Sequence, residues 1–360
     1  MLIALFIAAI ILGLLFPKSK IVRIFQYIVI FIVFVFNDWN QDEISYRRIY
    51  SGYYGLSHEP GFDFLCRFCN DRGIPFETFR IVYIAIAVTL LLIALNVLFK
   101  DTTNRAYSLI LLYPLLPFVE LLRNQMALAI VACDVAWLFS LKEEKVKHKV
   151  IFAIIILFAA TIHYNVLFFL ILLLTNDRSP QKSTYSLIVL LSLVSIAICN
   201  VPLFRRILSV VFTSDKVLGW FDSTNRIGWG VILAFAFHII SFCIYDYIYK
   251  NYSYRVDSID DVESDGYKLA RRLYSLNVYS FALMGLYTFN MEFFCRLYVF
   301  VIIVNSFHIS TIIKRIRNKN TSLMSFFQFV YHVAMFMYFC QVFDEEGIFS
   351  FILNNNSLFH

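Results

Sequence analysis

The stretch VIFAIIILFAATIHYNVLFFLILLL, residues 150–174, decides how the chain is laid out. It holds 25 residues, none charged, with one polar interruption at His163-Tyr164-Asn165. A bilayer core of roughly 30 Å takes about 20 apolar residues per helical crossing. The stretch is therefore either one long crossing or two short arms that turn back at His163. The flanking charges choose between these readings. A single crossing puts the two strongest Lys clusters, around Lys142–Lys149 and Lys314–Lys319, on opposite faces. A turn puts every Lys-rich loop on one face, as the positive-inside rule requires. The hairpin reading is preferred, with Asn165 as the N-cap of the returning arm.

Working outward, the same apolar character runs through the chain. Of 360 residues, 60% are hydrophobic and 16% charged, and the mean hydropathy is +0.71. Soluble domains average about 45–50% apolar and about 25% charged, so the excess must face something other than water. With 39 Phe and 22 Tyr, disorder is excluded as well. Candidate spans are read at 2–16, 23–36, 80–99, 106–122, 124–141, 148–162, 165–175, 185–200, 228–249, 273–289, 297–313 and 323–343. The expected fold is all-α: a polytopic integral membrane protein of about 12 segments, with the short hairpin near residues 148–175 and a helical external loop at 37–79. Residues 1–360 read as one membrane-embedded domain with external loops 37–79 and 201–227. The first span is not expected to be a cleaved signal peptide, because no basic residue precedes the apolar run and no small-residue cleavage site closes it; its basic flank (Lys18, Lys20, Arg23) follows it, which puts the N-terminus outside.

In that layout 20 of the 31 basic residues are cytoplasmic and 11 external. Ten of the external 11 are Arg, Lys216 being the exception, whereas 12 of the internal 20 are Lys. Positive-inside sorting asks only for charge, so Arg kept on the other face answers a second demand. Its planar fork suits phosphate or carboxylate in a way that Lys does not.

Several external residues are candidates for chemistry. Asp42, Tyr46 and Tyr50 fall at i, i+4, i+8, one stripe if helical. A carboxylate and two phenols suit a sugar, whose hydroxyls they bond and whose apolar face stacks on the rings. The competing reading is an amphipathic helix lying at the interface. Glu59 precedes Pro60-Gly61, a turn signal that could aim it at the membrane surface, or leave it merely solvated. Arg123 opens an apolar segment; an Arg beside a helix N-terminus can cradle an anion, or else pair with Glu120 or snorkel to headgroups. His163 sits at the hairpin tip, either capping the turn or meeting a phosphate or hydroxyl. Arg226, and Arg296 four residues after Glu292, stand at external helix ends, where the latter two could simply pair. Asp134 and Asp246, within or ending spans, are possible relays and keep a transporter reading open. Cys66-x2-Cys69 lacks a second Cys pair, so zinc is not expected, and neither Gly-rich phosphate loops nor nucleophile-elbow glycines occur. No metal, no cofactor and no nucleic-acid partner is expected.

The order of Asp42-x3-Tyr46-x3-Tyr50, Glu59-Pro60-Gly61-Phe62, Arg123 with Ala127 and Ala129 behind it, and Ala159-Ala160-Thr161-Ile162-His163-Tyr164-Asn165 resembles the EpsG family of Wzy-type polysaccharide polymerases. The resemblance is detailed over roughly residues 35–175; where the family often shows Arg-Gln, Asn124 here intervenes before Gln125. It implies a multi-pass glycosyltransferase of the bacterial cytoplasmic membrane, active on the outer face. Its donor and acceptor would be oligosaccharide repeat units on undecaprenyl pyrophosphate, polymerised into capsule, exopolysaccharide or O-antigen. Membrane lipid, a flippase and a chain-length regulator are the partners it suggests. In that setting Asp42, Glu59, Arg123 and His163 are the expected catalytic set, and Tyr46, Tyr50, Arg226 and Arg296 the substrate-binding set. Rival readings are a glycosyltransferase using a lipid monophosphate sugar, a non-enzymatic flippase or transporter, and an acyltransferase.

Overall fold

A computed structural model describes residues 1–37, 43–53, 59–99, 103–115, 121–141, 145–174, 182–200, 229–253, 265–283, 291–316, 319–343 and 356–358. Among them helix dominates and no strand forms; an isolated bridge joins Asn37 to Asn356. In chain order the helices are α1 (Leu2–Leu15), α2 (Lys20–Val35), α3 (Glu43–Tyr50), α4 (Pro60–Asn70), α5 (Phe76–Leu98), α6 (Asn104–Ile110), α7 (Leu122–Ser140), α8 (Val146–Ile162), α9 (Lys182–Asn200), α10 (Trp229–Ile248), α11 (Asp265–Ser280), α12 (Met291–Arg315) and α13 (Lys319–Phe343).

Among the described residues four stretches are long and apolar enough to cross a membrane: Phe76–Leu98, Leu122–Ser140, Ile232–Tyr252 and Tyr298–Arg315. Shorter apolar helices cover Leu2–Leu15, Tyr164–Leu174 and Thr184–Ile196. The outward faces of these helices are apolar, as on α5, where Val82, Ile86, Ile93 and Val97 are all exposed. Side chains of that kind in contiguous rows belong against lipid, not water. The described residues are those of an all-α polytopic membrane protein.

Residues 1–170 with 303–360 form one compact unit, and residues 171–302 a second. The first is centred on α7, buried along most of its length and packed against α5 and α8. Polar side chains join α1, α2 and α6 where apolar packing alone would not fix register. The Gln26 amide donates to the Ala9 carbonyl at 3.1 Å, the Asn104 carbonyl at 3.0 Å and Ser108 Oγ at 3.0 Å. Asn104 in turn donates to the carbonyls of Phe16 and Ser19, both at 2.7 Å. Buried polar groups are costly unless bonded, and these amides spend their donors on one another's elements.

Three expectations are corrected here. The span read at 106–122 is not one helix: α6 gives way to a wider turn at Leu111–Leu115, where Tyr113 is extended and Pro114 cannot donate. The Tyr113 carbonyl freed by that break accepts from His332 Nδ1 at 2.7 Å, and His332 Nε2 meets Ser306 Oγ at 2.9 Å. Because a carbonyl only accepts, His332 carries its proton on Nδ1. Second, Asn165 is not an N-cap. The helix after His163 is a 3₁₀ stretch, Tyr164–Leu174, that starts before it, and Asn165 is buried inside with Oδ1 unbonded among the described residues. Third, Pro60-Gly61 makes no turn: Pro60 takes the first position of α4, where its fixed φ and missing N–H suit a helix start.

The second unit is described by its own contacts. Tyr274 donates to Asp246 at 2.7 Å and meets Tyr185 at 2.9 Å, while Lys250 pairs with Asp246 at 2.9 Å. Asp246 is thereby held by a phenol and an ammonium, an ordinary way to satisfy a carboxylate near a helix end.

Candidate active site

Glu59, Arg123 and His163, 64 and 104 residues from Glu59 respectively, meet at one end of the first unit. Each stands at a helix terminus. Glu59 is the N-cap of α4, Arg123 is the second residue of α7, and His163 follows the last residue of α8. Arg123 Nη1 donates to Glu59 Oε2 at 2.5 Å, and His163 Nδ1 bonds Glu59 Oε1. Glu59 is 1% exposed and His163 5%.

Helix dipoles explain part of this arrangement. An Arg at the start of α7 faces the positive end of its own helix, so a carboxylate beside it relieves two unfavourable fields at once. At the end of α8 the field favours a cation or a donor, which is how His163 faces Glu59. Since the carboxylate accepts, His163 donates through Nδ1–H.

Aromatic rings wall the cluster. The Arg123 guanidinium lies 5.5 Å from the Tyr46 ring centre and 5.8 Å from that of Phe62. Phe62 packs edge-on to Tyr46 at 6.0 Å and to Tyr83 at 5.9 Å. Rings of this kind attract a cation through their faces and exclude water around it. Tyr50 is placed differently: its hydroxyl donates to the Ile74 carbonyl at 2.5 Å and its ring packs on Phe76 and Phe79. Tyr46 thus touches the cluster, whereas Tyr50 holds α3 against α5. Arg47 adds a second tie, pairing with Glu43 at 2.6 Å and Glu77 at 2.5 Å.

The approach of α4 to α8 sets the position of Glu59. Gly61 lies on Thr161; a Cβ there would fall 2.9 Å from Thr161 Cβ and 3.0 Å from its backbone carbon. Only glycine lets α4 come this close, and Gly61 and Phe62 had no assigned role in the sequence because Pro-Gly resembles turn chemistry. Cys66, one turn beyond Phe62, is buried on the same side of α4 as that ring, and burial pushes its thiol up to about 12. An unfolded thiol titrates near 8.5, so the folded state holds the protonated form and loses that advantage as pH climbs from about 8.5 toward 12. Maleimide at pH 8 is expected to leave Cys66 unmodified in the folded protein and to modify it after denaturation, read by mass spectrometry of the Cys66 peptide.

The remaining expected residues fall elsewhere. Asp42 and Arg226 lie outside the described residues. Arg296 and Glu292 belong to α12, where the backbone is described and these side chains are not. Asp134 is on α7, 3% exposed, with neither carboxylate oxygen bonded among the described residues. Among those residues no group of three His, Cys, Asp or Glu is placed to hold a metal ion.

A family model described as the EpsG family covers residues 20–353. No curated protein and no solved structure matches the chain.

Proposed function

The chain belongs to the EpsG family of Wzy-like polysaccharide polymerases, and from that premise we propose that it joins lipid-pyrophosphate-linked oligosaccharide repeat units at the Glu59–Arg123–His163 cluster. The observation that carries this reading is the convergence of a carboxylate, a guanidinium and an imidazole from three helix ends. In the proposed layout that end of the bundle faces outside the cytoplasmic membrane, where undecaprenyl pyrophosphate presents its cargo.

The reaction forms a bond from an acceptor sugar hydroxyl to the anomeric carbon of the donor. As the anomeric carbon–oxygen bond to pyrophosphate breaks, its electron pair leaves with the pyrophosphate. Arg123 is suited to receive that charge, since a preoriented cation in a poorly hydrated site stabilises a developing anion more than it would in water. Glu59 has both oxygens engaged, one by each partner, so its part is to orient them. His163 Nε2 then takes the hydroxyl proton, with Nδ1–H held by Glu59. Tyr46 stacks beside Arg123 where a sugar would lie. Asp42, Tyr50, Arg226 and Arg296 stand as further candidates on sequence grounds alone.

A polymerase-deficient strain complemented with Glu59→Gln, Arg123→Ala or His163→Ala is expected to lose the long-chain ladder while still making the single repeat unit. Normal ladders from all three would contradict the proposal. Asp134 separates the polymerase from a transporter. A relay in a transport path needs a titrating carboxylate at mid-span, whereas the proposed reaction does not use it. Asp134→Asn is therefore expected to keep the full ladder, measured in the same strain.

A further inference from the structure

We propose that α4 is an interfacial helix seated in the lipid leaflet at the Arg123 end of the bundle, with Phe64 and Phe68 among the acyl chains and Arg72 at the lipid phosphates. The inference is independent of the reaction assigned above.

The outward stripe of α8 gives the starting point. Val150, Ile151, Ile154, Leu157 and Phe158 are exposed and share one face at helical spacing, the pattern of a lipid-facing surface. The next member of that stripe is Thr161, and Gly61 rests on it. The α4 helix therefore begins where the lipid-facing stripe of α8 ends.

Gly61, Phe64 and Phe68 are spaced i, i+3, i+7, so the two phenylalanines share the face by which α4 meets α8. Phe64 is 64% exposed and Phe68 43%, while Phe62 and Cys66 on the other side are buried. The exposed rings sit 6.1 Å apart, and the Arg72 guanidinium stacks 3.5 Å from the Phe68 ring centre. Phe64, Phe68 and Arg72 thus form a row that passes from apolar to cationic along the chain. A helix leaving the acyl region for the phosphate layer shows this order, because aromatic rings favour the interface and basic groups the anionic headgroups.

Arg123 in the first turn of α7 and His163 after the last residue of α8 put two polar side chains at the ends of apolar helices, and Glu59 opens α4 between them. An anchored α4 holds Glu59 at the bilayer surface.

The test places the photoreactive residue p-benzoylphenylalanine, close in shape to Phe, at position 64, 68 or 48 of the full-length protein. The protein is reconstituted in vesicles of phosphatidylethanolamine and phosphatidylglycerol, irradiated and analysed by mass spectrometry. Phospholipid adducts at 64 and 68 and none at 48 are expected. An absence of lipid adducts at both positions would overturn the proposal, meaning that the face is in water. Crosslinks from 64 and 68 to a second copy of the chain in place of lipid would overturn it as well.

Discussion

Arg123→Ala is expected to remove polymer formation and to weaken the folded state, two losses with separate causes. Without Arg123 the Glu59 carboxylate stays buried against His163 alone, and breaking a buried pair from one side costs about 3–5 kcal/mol. The catalytic loss adds to this, since withdrawing one donor from a site that stabilises a leaving anion slows turnover by about 10²–10³. The double variant Glu59→Gln/Arg123→Met separates them. It leaves no unpaired charge, so its thermal midpoint should recover toward that of the unmodified protein, measured by scanning fluorimetry in detergent. Its polymer ladder should remain absent. A stable double variant with normal ladders would reduce the cluster to a structural clamp.

Gly61→Ala is the second large effect, and it reaches the site without touching any reacting group. The added methyl has no room against Thr161, so α4 must lift from α8 and carry Glu59 away from His163. Overpacking of this kind costs about 1–3 kcal/mol. The loss of activity should exceed what that destabilisation explains, because a small displacement of an orienting group has a large effect on rate. Adding Thr161→Gly vacates the space that the methyl needs, and ladders should partly return. No rescue, with the variant folded, would show that Gly61 acts other than by letting the helices approach.

Much of the fold was legible in the sequence because membrane burial writes itself into composition. Apolar runs with charged ends located α1, α5, α7 and α8 to within a few residues. The break at Leu111–Leu115 was less legible. Pro114 signals it, but His332, which receives the freed carbonyl, lies 219 residues away. The proposed N-cap at Asn165 failed for a local reason, since the chain leaves His163 extended and goes directly into a tighter helix.

The candidate site divides in the same way. Glu59, Arg123 and His163 each carried a local signal: a carboxylate before Pro-Gly, a cation at an apolar helix start, a polar residue in an apolar run. That all three signals belong to one cluster depended on tertiary approach. Arg123 had a near neighbour in sequence at Glu120, and nothing in spacing favoured Glu59, 64 residues off. The separation of Tyr46 from Tyr50 was equally hidden. Both are buried on one helical stripe, yet one ring meets Arg123 and the other hydroxyl goes to a backbone carbonyl.

The Glu59–Arg123–His163 cluster is proposed to polymerise lipid-pyrophosphate-linked repeat units. The most direct measurement is incubation of the purified protein in nanodiscs with a synthetic polyprenyl-pyrophosphate-linked repeat unit, resolved on a gel. A ladder of products from the unmodified protein, and only the starting repeat from the Glu59→Gln/Arg123→Met variant, is the predicted result. Equal ladders from both proteins would contradict the account.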